Sequence, residues 1–202
     1  MSSISKQIEN KVLSYKPGTV FFLDSFYDIE STEEAIRKTL GRLVEDKRIV
    51  RVARGIYCYP KKDKWDGANL RPSIEDIAIA VADRDKVRII PTGEYALNKL
   101  GLSTQVPANA VFITDGSSRK ISIGSGKGIL FKHTSEMRSF AYNSKLVQMI
   151  VFALKEIGKN NATDEQLGII KNHLDQLPID TYKEDLKLAP AWIRQIINTK
   201  NK

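Results

Sequence analysis

The chain is poor in the residues that hold metals and disulfides. Cys58 is the only cysteine, and His133 and His173 are the only histidines. One cysteine excludes an intramolecular disulfide framework, and so few thiol and imidazole groups leave no zinc-type ligand set. Long apolar runs are missing too. The longest, Leu146 to Leu154, is interrupted by Gln148 and falls far short of a bilayer span. Met1-Ser2-Ser3-Ile4 has neither the basic start nor the apolar core of a signal peptide. These absences predict a cytoplasmic protein in a reducing compartment, with no membrane, metal or cofactor partner. What is present fits that expectation. Of 202 residues, 42% are hydrophobic and 28% charged, enough apolar material to bury a core in one large or two small domains and to exclude global disorder.

The net charge of +8 is uneven. Residues 1–36 hold three Lys against six Asp/Glu, residues 37–64 hold ten Lys/Arg against three, and residues 65–202 hold nineteen against fifteen. The middle segment therefore carries +7. Clustered positive charge points to a polyanion, although a solvated basic surface gives the same arithmetic.

Local patterning around that cluster is more informative. Ile4, Ile8 and Val12 recur at helical spacing, and Pro17-Gly18 ends the helix. Thr19 to Phe22 reads as extended and Leu23 to Tyr27 as a short second helix. Ser31 with Glu34 fits a capping box for a helix running to Asp46, with Ile36, Leu40, Leu43 and Val44 as its apolar stripe. Arg37, Lys38, Gly41 and Arg42 lie off that stripe. Two strands follow, Ile49 to Ala53 and Ile56 to Tyr59, joined by an Arg54-Gly55 hairpin turn.

Helix, short helix, polar-faced helix and hairpin is the order of a winged helix-turn-helix, whose third helix enters the major groove while the wing reaches the backbone or minor groove. In that frame Arg37, Lys38 and Arg42 address bases or phosphates from the helix. Ser31 and Thr32 hold a phosphate at its start, Arg51 and Arg54 sit on the wing, and Lys47 and Arg48 at its base. Each has a plainer alternative: Ser31 simply caps the helix, Arg42 pairs with Glu45 or Asp46, and the other cations are solvated. Lys61 to Gly67 reads as a polar linker or as the edge of the first domain. The predicted fold is α+β, with an N-terminal winged helix-turn-helix over 1–62 and a mixed α/β domain with a helical C-terminal end over 69–202.

In the second part, Ser73 and Asp76 cap a helix, strands are expected near 87–90, 110–114, 120–124 and 129–132, and Ser144, Thr163 with Gln166, and Pro190 mark later helix starts. Gly124-Ser125-Gly126-Lys127-Gly128 is no Walker loop, because Ile121 and Gly128 occupy the positions that need Gly and Ser or Thr. It reads as a hairpin turn. No nucleophile, base and acid are spaced as a catalytic set, so no enzyme activity is expected. Arg119, Lys120, Lys127, Lys132, Arg138 and Lys145 form a second basic stretch met only by Glu136. It extends a nucleic-acid surface, docks an acidic partner, or is solvated.

Arg54-Gly55-Ile56-Tyr57, Pro72-Ser73-Ile74-Glu75, Pro91-Thr92-Gly93, Gly101-Leu102-Ser103-Thr104-Gln105-Val106-Pro107, Thr114-Asp115-Gly116-Ser117-Ser118-Arg119 and Leu188-Ala189-Pro190-Ala191-Trp192-Ile193 together span most of the chain. In these blocks the sequence resembles the AbiEi-type antitoxins of bacterial abortive-infection systems, in a compact branch. The resemblance implies a winged helix that binds double-stranded operator DNA and represses its own operon. It also implies a C-terminal domain that counters a nucleotidyltransferase-like toxin, in type IV systems without stable complex formation. By the same resemblance, Arg119, Lys120, Lys127, Lys132 and Arg138 become a candidate antitoxin surface. An inverted-repeat operator read by two copies is expected. The alternative is a winged-helix regulator with a ligand-sensing or assembly domain and no toxin.

Overall fold

A computed structural model describes residues 3–199. The architecture is α+β, and the chain divides into two compact units, Met1–Arg84 with Ser122–Ser125, and Asp85–Ile121 with Gly126–Lys202. The first unit thus continues past residue 62 and takes in the next hairpin and helix.

The first unit begins with α1 (Ile4–Ser14), capped by Ser3, whose hydroxyl accepts the N–H of Lys6. Ile8 and Val12 are buried, while Ile4, the third member of the expected stripe, is 38% exposed. Strand β1 (Val20–Phe22) leads into a single 3-10 turn, Leu23–Phe26. An α-helix was expected there; the segment is too short to repay the cost of helix nucleation, and the Ser25 hydroxyl instead ties the turn to the N–H of Phe22 at 3.1 Å. Helix α2 (Glu33–Glu45) follows, then β2 (Val50–Ala53) and β3 (Ile56–Cys58). These three strands form an antiparallel sheet in the order β1-β3-β2, with Val20 and Val50 both opposite Cys58.

Phe21 is the hub of this core. It stacks on Tyr15 (5.2 Å) and Tyr57 (5.8 Å) and meets the edge of Phe26 (5.7 Å). Ile36, Leu40 and Leu43 of α2 close over the same cluster. Each such side chain taken from water contributes about 1.5–3 kcal/mol, which is what fixes the rotation of α2 and so decides which residues face out.

Residues 61–67, expected as a linker or as the edge of the first domain, belong to the first unit and form most of a second hairpin. Strand β4 (Lys61–Lys62) pairs antiparallel with β5 (Asn69–Leu70). Helix α3 (Ile74–Asp85) starts at the expected reciprocal cap: Asp76 N–H donates to Ser73 Oγ at 3.0 Å, and Ser73 N–H to Asp76 Oδ2 at 3.1 Å.

The second unit holds β6 (Ile89–Thr92), β7 (Asn109–Thr114), the first half of β8 (Arg119–Gly124) and β9 (Lys127–His133), strands whose order is β6-β7-β9-β8. β6 is antiparallel to β7, and β7 is parallel to β9 with Phe112 opposite Phe131. Helix α4 (Gly93–Lys99) and four later helices complete it: α5 (Lys145–Ile157), α6 (Asp164–Asp175), α7 (Ile179–Leu186) and α8 (Ala191–Thr199). α5 is the centre of that packing, with Val147, Ile150, Val151 and Leu154 fully buried. Ser144 caps it and Gly158 ends it at positive φ, while Thr163 and Gln166 form the expected capping box of α6. No described helix is long and apolar enough to cross a membrane.

Candidate nucleic-acid interface

The exposed face of α2 and the β2–β3 hairpin hold most of the residues singled out in the sequence, and the structure sorts them. Lys38, Arg51 and Arg54 are exposed and have no hydrogen-bond or ion-pair partner among the described residues. Lys38 lies on the open side of α2. Arg51 lies on β2 opposite Tyr57, and Arg54 forms the hairpin tip with Gly55 at φ +72°. The Gly55 carbonyl accepts the N–H of Leu23, which ties the tip to the 3-10 turn. Lys47, also exposed, terminates α2 in the left-handed conformation at φ +56°.

The remaining arginines are engaged. Arg37 Nε donates to Glu33 Oε1 at 2.9 Å, and Tyr27 Oη donates to Glu33 Oε2 at 3.2 Å. These two donors, Arg37 first, hold the Glu33 carboxyl below its usual range. Arg42 donates to Ser5 Oγ on α1, not to Glu45 or Asp46. Arg48 pairs with Glu9. Exposed pairs of this kind exchange readily, so Arg37 and Arg42 can be recruited by a stronger anion. Arg37, Gly41, Val44, Glu45, Arg51 and Tyr57 line an open groove of about 380 Å³ between the helix and the hairpin.

The expected phosphate site at the start of α2 is not assembled. The cap is Thr32, whose Oγ1 accepts the Ala35 N–H at 3.2 Å, one residue later than predicted. The Ser31 hydroxyl is enclosed and has no hydrogen-bond partner among the described residues. Glu33 and Glu34 already fill the first turn and complement the helix dipole there. Glu34 and Glu45 are exposed on α2 as well, so the positive potential rests on Lys38, Lys47 and the hairpin rather than on the whole helix.

Sequence reasoning missed the cations of β4–β5. Lys61, Lys62 and Lys64 are exposed on an ordered hairpin whose tip is Trp65. Asp63 and Gly67 were the available signal of a turn, but two residues of strand on each side are too few to show an alternating pattern.

In the second unit the basic stretch also divides. Arg119 pairs with Asp85 and lies 5.3 Å over the Phe131 ring. Arg138 donates to the Lys187 carbonyl at 3.2 Å. Both hold the unit together. Lys120, Lys127 and Lys132 are exposed and unpaired among the described residues. Residues 124–128 make the expected turn between β8 and β9. His133 Nδ1 lies 2.9 Å from the Gly116 carbonyl and His173 Nε2 3.0 Å from that of Leu100, each a tie between segments. Among the described residues no three His, Cys, Asp or Glu side chains gather to hold a metal ion.

The chain is an α+β protein whose first unit carries exposed cations, unpaired among the described residues, on α2 and on the adjoining hairpin. Residues 7–181 match a family of unknown function, DUF6088, and the chain belongs to that family. The match spans parts of both units. No curated protein matches the chain.

Proposed function

We propose that the first unit is a winged helix that binds double-stranded DNA, and that the chain is a transcriptional repressor of its own operon. One observation carries this reading: Lys38 on α2 and Arg51 and Arg54 on the adjoining hairpin are exposed cations with no internal partner. They stand on a unit whose elements run helix, turn, helix, hairpin. In such an arrangement α2 lies in the major groove and Arg54 reaches the backbone or minor groove. Arg37, released from Glu33, offers a two-pronged donor to a guanine edge, while Lys38 neutralises a phosphate. Two copies on an inverted repeat would double the contact area.

The resemblance to AbiEi-type antitoxins supports a second role in the same chain, as the antitoxin of a nucleotidyltransferase-like toxin. Lys120, Lys127 and Lys132 are the cations left free for it.

Binding is tested with labelled duplexes from upstream of the gene. Arg54→Ala is expected to weaken binding by about 1–3 kcal/mol if the contact is base-specific, and Lys38→Gln to flatten the salt dependence by about one phosphate. Unchanged affinity and unchanged salt slope in both would remove α2 and the hairpin from the interface. The antitoxin role is tested by co-expression with the product of the adjacent gene. Rescue of growth, lost on replacing the three lysines by Gln, supports it; a harmless neighbour leaves a regulator without a toxin.

A further inference from the structure

We propose that the β4–β5 hairpin is a second DNA-contacting arm, in which Trp65 wedges against bases of the duplex while Lys62 and Lys64 neutralise phosphates beside it. This rests on the DNA-binding reading above but on different residues.

Trp65 is 96% exposed. Tryptophan is highly buried on average in folded proteins, so an indole standing this far into water is out of the ordinary. The exposure is built in. Asp63 Oδ1 accepts the N–H groups of Trp65 at 2.8 Å and Asp66 at 3.4 Å. Asp63 N–H donates to the Ala68 carbonyl at 2.8 Å, and Asp66 Oδ1 accepts the Ala68 N–H at 2.9 Å. The turn is thus closed on itself and holds the indole outward.

Cations outnumber carboxylates on this hairpin. Asp63 and Asp66 each spend a carboxylate oxygen on backbone N–H groups and keep their charge, and the exposed Lys61, Lys62 and Lys64 outnumber them three to two on the hairpin. An aromatic face between cations matches a base between phosphates, since every base has a π-face and each neighbouring phosphate takes one cation. A bilayer surface suits the tip less well. Membrane seating needs a continuous apolar face, and Lys64, Asp66 and Gly67 around Trp65 supply none.

The arm is also placed to serve. Asn69 Nδ2 donates to the Lys47 carbonyl at 2.7 Å, which pins the hairpin to the C-terminal end of α2. At 1.5 Å per residue α2 is about 20 Å long, whereas the major groove is about 12 Å wide. An arm fixed at that end falls beyond the groove, on the flanking backbone and minor groove. There an apolar wedge opens a base step without reading sequence, so the arm adds affinity and bends DNA rather than selecting a site.

The test uses the full chain with Trp192→Phe, which leaves Trp65 as the only indole. Duplex DNA from upstream of the gene is followed by labelled-DNA anisotropy and by Trp65 emission together. Trp65 fluorescence should be quenched on binding. In the parent chain, Trp65→Ala should weaken binding roughly tenfold with Tm and salt slope unchanged, and Trp65→Phe should retain most of the affinity. Lys62→Gln with Lys64→Gln should lower the salt slope by about 1.8. Full affinity of Trp65→Ala with unquenched emission overturns the arm and leaves the repressor reading standing. No binding of any duplex by the parent chain overturns both. Quenching by phosphatidylglycerol vesicles but not by DNA overturns the arm in favour of a membrane contact.

Discussion

Cys58 and Asp185 show how single side chains in this protein answer to partners far along the chain. Cys58 is fully buried on β3, and burial, reinforced by the Asp76 carboxylate, pushes its thiol up to about 11. The neutral thiol is therefore the form present at neutral pH, and the native protein should resist thiol-directed alkylation until it unfolds. The same shift sets an alkaline limit. The unfolded thiol ionises from its ordinary value of 9.0 while the native one stays protonated, so stability is complete below that pH and falls as pH rises toward 11. Tyr142, raised by burial to about 12 from 10.0, adds to the loss only later. Urea denaturation of Cys58→Ala should accordingly show a flatter pH profile between 9 and 10 than the parent chain. Asp185 is 1% exposed, and its carboxylate accepts the N–H groups of Asn143 at 2.8 Å and Ser144 at 2.7 Å, at the start of α5. Asp185→Ala strands both donors and should cost about 2–4 kcal/mol, read from the shift in urea midpoint at unchanged m-value. The role of Asp185 was not legible in the sequence. Asp185 meets residues 41 and 42 positions earlier, and Arg119 meets Asp85 34 positions earlier. Only folding brings such pairs together, so Arg119 read as a free surface cation.

Elements were legible wherever their signals lie within a few residues. The caps at Ser73 and Thr163 follow from side chains three positions apart, Ser144 caps α5 through its own hydroxyl, and Gly55 marks the hairpin turn. The cap of α2 slipped by one because Ser31 and Thr32 are both good caps and Glu34 sits at box spacing from Ser31. In the structure Thr32 takes the cap, its hydroxyl accepting the Ala35 N–H, while the Ser31 hydroxyl is enclosed. Gly41 exposes the logic of α2 most clearly. A Cβ there would meet nothing within 4 Å, so internal packing does not require glycine in mid-helix. Gly41→Ala should stabilise the protein by about 0.5–1 kcal/mol in urea denaturation. On the proposed reading Gly41→Leu should fold equally well yet weaken duplex binding at least tenfold, because α2 would approach DNA closely along this groove. Unaltered binding by Gly41→Leu would show that α2 is not the inserted element.

At the scale of the whole molecule, the excess charge read from composition becomes a distribution. Several of the cations in residues 37–64 are consumed in pairs, and those left free gather on α2, the β2–β3 tip and the β4–β5 hairpin. The second unit is organised differently, around the buried helix α5, with Arg119 and Arg138 spent on its own cohesion. The DUF6088 match covers parts of both units, so family membership is a property of the pair rather than of either alone. The account's central claim is sequence-selective DNA binding by the first unit. Fluorescence anisotropy with the duplex upstream of the gene, beside a scrambled duplex of the same length and composition, tests it most directly between about 50 and 200 mM salt. The account predicts tighter binding to the upstream duplex throughout, with affinity for both falling steeply as salt rises. Binding to neither duplex at the lowest salt would contradict it.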